Sequence, residues 1–233
     1  MAKKMQKIKL CGMMRECDIK YANEAKPDYV GFVFADTRRK VSVEDAKRFR
    51  ELLHSDIVAV GVFVDADASY VGELMKDGII DMAQLHGNED AEYIKKVRSI
   101  SDKPLIKAVK VQSVSQIKKA AELPVEYLLL DTYRKGVLGG TGEAFDWNMI
   151  ADARKLGGDA AEDGTVFGKP YFLAGGLTIA NLPEAMKQQS FGLDISSGIE
   201  TDGFKDREKM LSAVNIIRES TYDCKIDIIK CCE

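Results

Sequence analysis

Long hydrophobic runs are missing from this sequence. The longest strongly apolar stretch, Ile57 to Val64, is far short of the roughly 20 residues a helix needs to cross a bilayer, which excludes a membrane span. A dominant charge is missing too. With 34 Lys+Arg against 37 Asp+Glu and a formal net charge of -3, the chain has no basic field to collect phosphate backbones, so nucleic acid is not an expected partner. Five cysteines (Cys11, Cys17, Cys224, Cys231, Cys232) are an odd number without zinc or redox spacing. That excludes a disulfide scaffold and fits a soluble chain in a reducing cytoplasm. Lys3, Lys4, Lys7 and Lys9 lead into no apolar stretch of secretory length, so no export signal is expected.

What is present is a core-forming composition, 45% apolar over 233 residues, and a regular alternation of two periodicities. Short β-branched runs lie near 7–12, 29–35, 57–65, 82–87, 104–111, 127–133, 170–177 and 191–197. Helical patterns follow each, near 17–25, 42–55, 68–78, 90–101, 114–123, 146–156, 181–189 and 206–219. Ser42 and Asn181, each with an acid three residues on, read as helix starts. Eight β-then-α units predict parallel strands with right-handed crossovers, closed into a single-domain (β/α)8 barrel over 1–219. An open doubly wound sheet is the rival, but it would place a glycine-rich turn after the first strand, where this chain has C-G-M-M-R. Two stretches fall outside the repeat. The run 157–169 reads as a solvated loop, and 220–233 as a C-terminal tail without an assigned role. Cys224, Cys231 and Cys232 in that tail read as unpaired thiols rather than a metal set.

Barrel enzymes carry their chemistry at the C-terminal ends of the strands. Here those ends are Cys11, the Arg38–Arg39 loop, Gln84 with His86, Asp131, Gly175–Gly176 and Ser196–Ser197–Gly198. The last two sets, following adjacent final strands, read as a phosphate cradle of backbone N–H donors. Gly139 to Gly142 (G-G-T-G) reads either as a lid contributing Gly140, Thr141 and Gly142 to the ligand or as a plain loop. Arg38 or Arg39 offers a guanidinium for a substrate carboxylate, against the alternative of a solvated pair beside Lys40.

Cys11 and Asp131 are candidates for general base and general acid. The thiol can equally be a small buried hydrophobe. A carboxylate after Leu128–Leu129–Leu130 is costly unless paired or used, and burial would raise its pKa toward that of a working acid. To act as a base Cys11 needs a cationic neighbour or helix-end amides; Lys9, two residues earlier, is one candidate for that neighbour and His86 another, and His86 is also read as a substrate-binding residue. His54 reads as solvated surface.

Taken in order, K-L-C-G (9–12), G-F-V-F (31–34), R-K-V-S (39–42), Q-L-H-G (84–87), L-L-D (129–131), G-G-T-G (139–142), F-D-W (145–147), L-A-G-G-L (173–177) and D-I-S-S-G-I-E (194–200) resemble the phosphoribosylanthranilate isomerase family. The resemblance spans about 7–219. It implies a (β/α)8 barrel performing an Amadori rearrangement in tryptophan biosynthesis with neither metal nor cofactor, on a small-molecule substrate, as a monomer or homodimer. It also implies Cys11 as base, Asp131 as acid and Arg39, in better register than Arg38, as the carboxylate ligand. Phosphate would fall on Gly175, Gly176, Ser196 and Ser197. The rivals are another sugar-phosphate isomerase or epimerase on the same scaffold and a non-catalytic phosphate-ligand-binding barrel. Metal-dependent pentose-phosphate epimerases call for a His/Asp metal set, for which only His86 is available. No fused indole-glycerol-phosphate synthase domain is expected.

Overall fold

The computed structural model describes residues 5–131, 147–159 and 163–230, without the side chains of 220–230. Its elements are β1 (Lys7–Cys11), α1 (Glu16–Ala25), β2 (Tyr29–Val33), α2 (Val43–Leu52), β3 (Val58–Phe63), α3 (Ala68–Lys76), β4 (Met82–Leu85) and α4 (Ala91–Arg98). The second half holds β5 (Leu105–Lys110), α5 (Val114–Ala121), β6 (Tyr127–Asp131), α6 (Asn148–Gly157), β7 (Thr165–Val166), β8 (Lys169–Ala174), α7 (Leu182–Met186), β9 (Gly192–Ile195), β10 (Glu200–Thr201), β11 (Phe204–Lys205) and α8 (Arg207–Lys230).

The strands β1 to β6, β8 and β9 pair in parallel, each with its neighbour, and β9 returns to β1 through Lys9 opposite Asp194. The sheet is therefore closed, and the open-sheet rival is excluded. Strand periodicity sorts the apolar residues into two shells. Ile8, Leu10, Val30, Phe32, Ala83, Leu85, Leu128 and Leu130 face outward and pack with the helices. Tyr29, Val60, Met82, Ile106, Ala108, Leu129, Phe172 and Ala174 fill the barrel interior. Above them Cys11, Val33 and Val62 form the last apolar layer below the mouth. Among the described residues no helix is long and apolar enough to cross a membrane.

Three segments differ from the pattern that the sequence predicts. Asp159 accepts bonds from Thr165 Oγ1 and from the amides of Phe167 and Gly168, at 3.0, 2.5 and 2.8 Å. Part of the presumed solvated loop 157–169 is therefore a built turn, with β7 antiparallel to β8 and Val166 fully buried. The seventh barrel strand, β8, ends at Ala174 rather than near 177, because Gly175 and Gly176 take positive φ of 94° and 67°. The last helix continues beyond 219 to Lys230. The G-G-T-G segment, including Gly140, Thr141 and Gly142, lies outside the described residues, as do Cys231 and Cys232.

Candidate active site

A cavity of about 450 Å³ opens at the C-terminal end of the barrel. Its lining includes Cys11, Arg39, Gln84, His86, Asp131 and Asp194, with Gly175, Gly176, Ser196 and Ser197 along one side. Apart from Arg38 and Gly198, the described residues that the sequence offers as ligands or catalysts line this one space. Arg38 does not line it and instead donates to Gly203 O and Glu200 at the exposed rim. That settles which arginine faces the cavity. His54 is exposed beside Asp56.

Cys11 closes β1, where the register sets it opposite Gly31 of β2. A Cβ at Gly31 would lie 2.6 Å from the Cys11 Sγ, so a glycine is required to leave the thiol its space. Below it, Lys9 occupies the same face of β1 two residues earlier and is fully buried. Its Nζ donates to Asp194 Oδ1 at 2.8 Å. Burial pulls the Lys9 ammonium down, but Asp194 and Cys11 outweigh it and its pKa is raised. Burial pushes the Cys11 thiol up; Lys9 pulls it down, Asp194 pushes it up and Lys205 pulls it down, with the balance above the ordinary value. The cationic neighbour that a thiolate needs is therefore present, and burial still outweighs it.

Asp131 ends β6 across the cavity. His86 Nε2 lies 3.6 Å from its Oδ2, and Gln84 Nε2 lies 3.1 Å from His86 Nδ1. With the Gln84 amide donating, the imidazole proton sits on Nε2, facing Asp131. Gln84 Oε1 is buried without a hydrogen-bond partner among the described residues.

The cradle is shaped by Asn181. Its position suggests a helix cap, but its side chain makes no cap bond to α7. Asn181 Oδ1 instead accepts from Thr178 N at 2.8 Å, and its Nδ2 donates to Gly176 O at 3.0 Å, which fixes the turn after β8. Thr178 then bridges Gly198 of the neighbouring loop. A Cβ at Gly198 would fall 2.0 Å from Leu177 O, so the two glycine loops close on each other only because position 198 has no side chain.

The loop after β2 is tied back by Val41 N to Val33 O at 2.9 Å and capped by Ser42, whose Oγ accepts from Asp45 N at 3.0 Å. Between these ties Arg39 reaches Glu200. The Nε and Nη2 groups donate to the two Glu200 oxygens at 2.7 and 3.0 Å. Lys205 Nζ donates to Glu200 Oε1 at 2.8 Å and to Ser196 O at 2.9 Å. Burial would raise the Glu200 carboxyl, yet the bonds from Arg39, Lys205 and Arg38 hold it down at about 2. Burial, only partly offset by Glu200, lowers the Lys205 ammonium. The sequence pattern assigns no role to Glu200, the last residue of D-I-S-S-G-I-E, or to Lys205, although Asp202–Gly203 between them is a two-residue hairpin signal. Both residues take positive φ, 51° and 83°, as that turn requires.

The chain matches the family model described as N-(5'phosphoribosyl)anthranilate (PRA) isomerase over residues 8–216. A relative from Endomicrobium trichonymphae, named N-(5'-phosphoribosyl)anthranilate isomerase, is 42% identical over 92% of this chain and 99% of its own length. The crystal structure of phosphoribosyl anthranilate isomerase from Thermotoga maritima superposes with a TM-score of 0.75 at 30% identity, covering 92% of this chain and all, 100%, of that one. A structure of the isomerase in complex with reduced 1-(o-carboxyphenylamino)-1-deoxyribulose 5-phosphate gives 0.73 at 28% identity, covering 92% of this chain and 100% of the other. A closed eight-stranded barrel, a cavity holding the motif residues, and a family match running almost from end to end agree: this chain belongs to the N-(5'-phosphoribosyl)anthranilate isomerase family.

Proposed function

We propose that the protein converts N-(5-phosphoribosyl)anthranilate to 1-(2-carboxyphenylamino)-1-deoxyribulose 5-phosphate in tryptophan biosynthesis by general acid and base catalysis, with Cys11 and Asp131 in the two roles. The observation that carries this assignment is that Cys11 and Asp131 open into one cavity, with a guanidinium and two glycine loops around them. The substrate has the matching parts: a phosphate, a benzoate carboxylate, and a sugar between them.

Asp131 in its acid form gives its proton to the ribose ring oxygen. The C1–O bond breaks and the anilino nitrogen supplies the electron pair for a C1=N iminium. The iminium makes the C2 proton acidic. Cys11 as thiolate removes it, and the C–H electrons form C1=C2 while the nitrogen recovers its pair. The enolamine then loses the C2 hydroxyl proton and gains one at C1 to give the ketone. Arg39 takes the carboxylate, and amides around Gly175–Gly176 and Ser196–Ser197 take the phosphate, so binding energy from both ends holds the reacting carbons between acid and base. His86 faces Asp131 and belongs to the same substrate pocket. The reaction belongs in a reducing cytoplasm, where Cys11 and Cys17 stay free thiols.

The test follows the fluorescence of phosphoribosylanthranilate, generated in place from anthranilate and phosphoribosyl pyrophosphate by a transferase, when purified protein is added with excess chelator. Catalytic loss of signal is expected. A folded protein without that loss would move the assignment to another sugar phosphate or to binding alone.

A further inference from the structure

The proposed carboxylate ligand, Arg39, is itself held by an anion. Glu200 is almost fully buried, with a side-chain exposure of 5%, and takes both the Nε and the Nη2 donors of Arg39. Two more cations share it: Lys205, whose side chain is fully buried, and Arg38, which also clamps Gly203 O from outside. The guanidinium stem is confined as well, since Arg39 Cδ packs over Gly12, where a Cβ would lie 2.6 Å away. Resting on the isomerase reading above, we infer that Glu200 is the positioning residue for Arg39 and sets how the benzoate carboxylate is recognised: end-on, through Nη1 and the remaining Nη2 hydrogen.

The donors of Arg39 decide the geometry. A guanidinium has five N–H groups, and its side-on edge consists of Nε–H and one Nη2–H. Glu200 occupies that edge. What is left is the terminal edge, and Nη1 of Arg39 has no hydrogen-bond partner among the described residues. A carboxylate entering the cavity that Arg39 lines therefore meets the two terminal donors in a fixed plane, without a rotamer search. Charge favours the same outcome. Arg38, Arg39 and Lys205 against Glu200 alone leave two positive charges beside Ser196, which suits a ligand bearing both a phosphate and a carboxylate. The β10–β11 hairpin thus joins the two anion subsites: Lys205 bonds Ser196 O at the phosphate end and Glu200 at the carboxylate end.

The experiment compares two stable competitive inhibitors, the reduced product 1-(2-carboxyphenylamino)-1-deoxyribitol 5-phosphate and its phenylamino analogue without the carboxyl group. Wild-type turnover is recorded first; its absence would refute the isomerase reading, whereas the inference about Glu200 is judged on selectivity between the two inhibitors. In Glu200→Gln the amide offers one acceptor where Arg39 needs two. The carboxylated inhibitor is expected to weaken by about tenfold and its analogue by less than about twofold. Should Glu200→Gln fail to fold, Glu200→Asp, which keeps the charge but shortens the reach, is expected to shift the same selectivity in the same direction by a smaller factor. In Arg39→Lys, which has no fork to orient, adding Glu200→Gln should produce no further selective loss. Equal weakening of both inhibitors, no weakening of either, or tighter binding of the carboxylated one would overturn the inference, the last by showing Glu200 to be a competitor of the substrate.

Discussion

Lys9 and Asp194 form an ion pair at 2.8 Å inside the barrel, directly beneath the Cys11 thiol and 185 residues apart in the chain. The pair joins β1 to β9 where the barrel closes, and the two residues are register partners. Its position gives it two effects, one on the fold and one on the thiol. Lys9→Met leaves Asp194 buried and uncompensated, which costs about 3–5 kcal/mol. It also removes a cation that pulls the thiol pKa down, so the thiolate becomes scarcer. The expected result is a lower melting temperature together with a kcat/KM reduced by about tenfold or more at neutral pH, recovering as pH rises. A Lys9→Met protein with the wild-type pH profile would show that the lysine serves only the fold.

The pH dependence of the wild type follows from the same site. Burial leaves the Cys11 thiol above its ordinary pKa despite Lys9 and Lys205, so the thiolate is the minority form near neutrality. Because Asp131 must keep its proton while Cys11 loses one, kcat/KM follows the protonation of the pair and is bell-shaped, and only a variant without the acid shows the limb that climbs with thiol ionisation alone. In Asp131→Asn the residual kcat/KM should therefore rise with pH, and a profile flat between about pH 6 and about pH 9 in that variant would count against Cys11 as the base.

Two glycines test the geometry separately. Gly31→Ala would place a methyl 2.6 Å from Sγ, so the thiol must leave its position; kcat should fall with KM little changed. Gly198→Ala would drive a methyl into Leu177 O and part the two loops of the cradle; KM should rise and inhibition by inorganic phosphate weaken. The two variants should therefore divide between kcat and KM. Steady-state kinetics showing the reverse assignment would contradict the placement of acid-base chemistry and phosphate binding.

Stability toward acid should depend on Glu200. Its folded pKa, about 2, lies below the ordinary 4.5, so the unfolded chain binds this proton more readily. The contribution is present above about pH 4.5 and is lost as pH falls toward about 2. Chemical denaturation of wild type and Glu200→Gln should therefore show a stability gap that narrows through that window. A gap independent of pH there would mean that the carboxylate is not the group responsible.

Much of this architecture is legible in the sequence. Period-two runs alternating with helical ones define the barrel, and Leu128–Leu129–Leu130 followed by Asp131 places an acid at a strand end. The pairing of Lys9 with Asp194 was not legible, because it depends on barrel closure and on the register between first and last strands. Asn181 looked like a helix cap, since cap and loop tie use the same short polar side chain; only the fold shows which backbone groups lack a partner. Glu200 and Lys205 lie after the last strand in a hairpin too short for a periodicity, although its Asp-Gly turn marks it. Residues of this second kind orient the others, and their meaning comes from contacts across the fold.

The most direct measurement is the single-turnover rate on phosphoribosylanthranilate for the wild type, Cys11→Ala and Asp131→Asn, with thermal unfolding recorded on the same preparations. Removal of either group is expected to slow the isomerisation by about 10² to 10⁴ while the fold persists. If either folded variant retained more than about a tenth of the wild-type rate, that residue would not be the acid or base of this reaction.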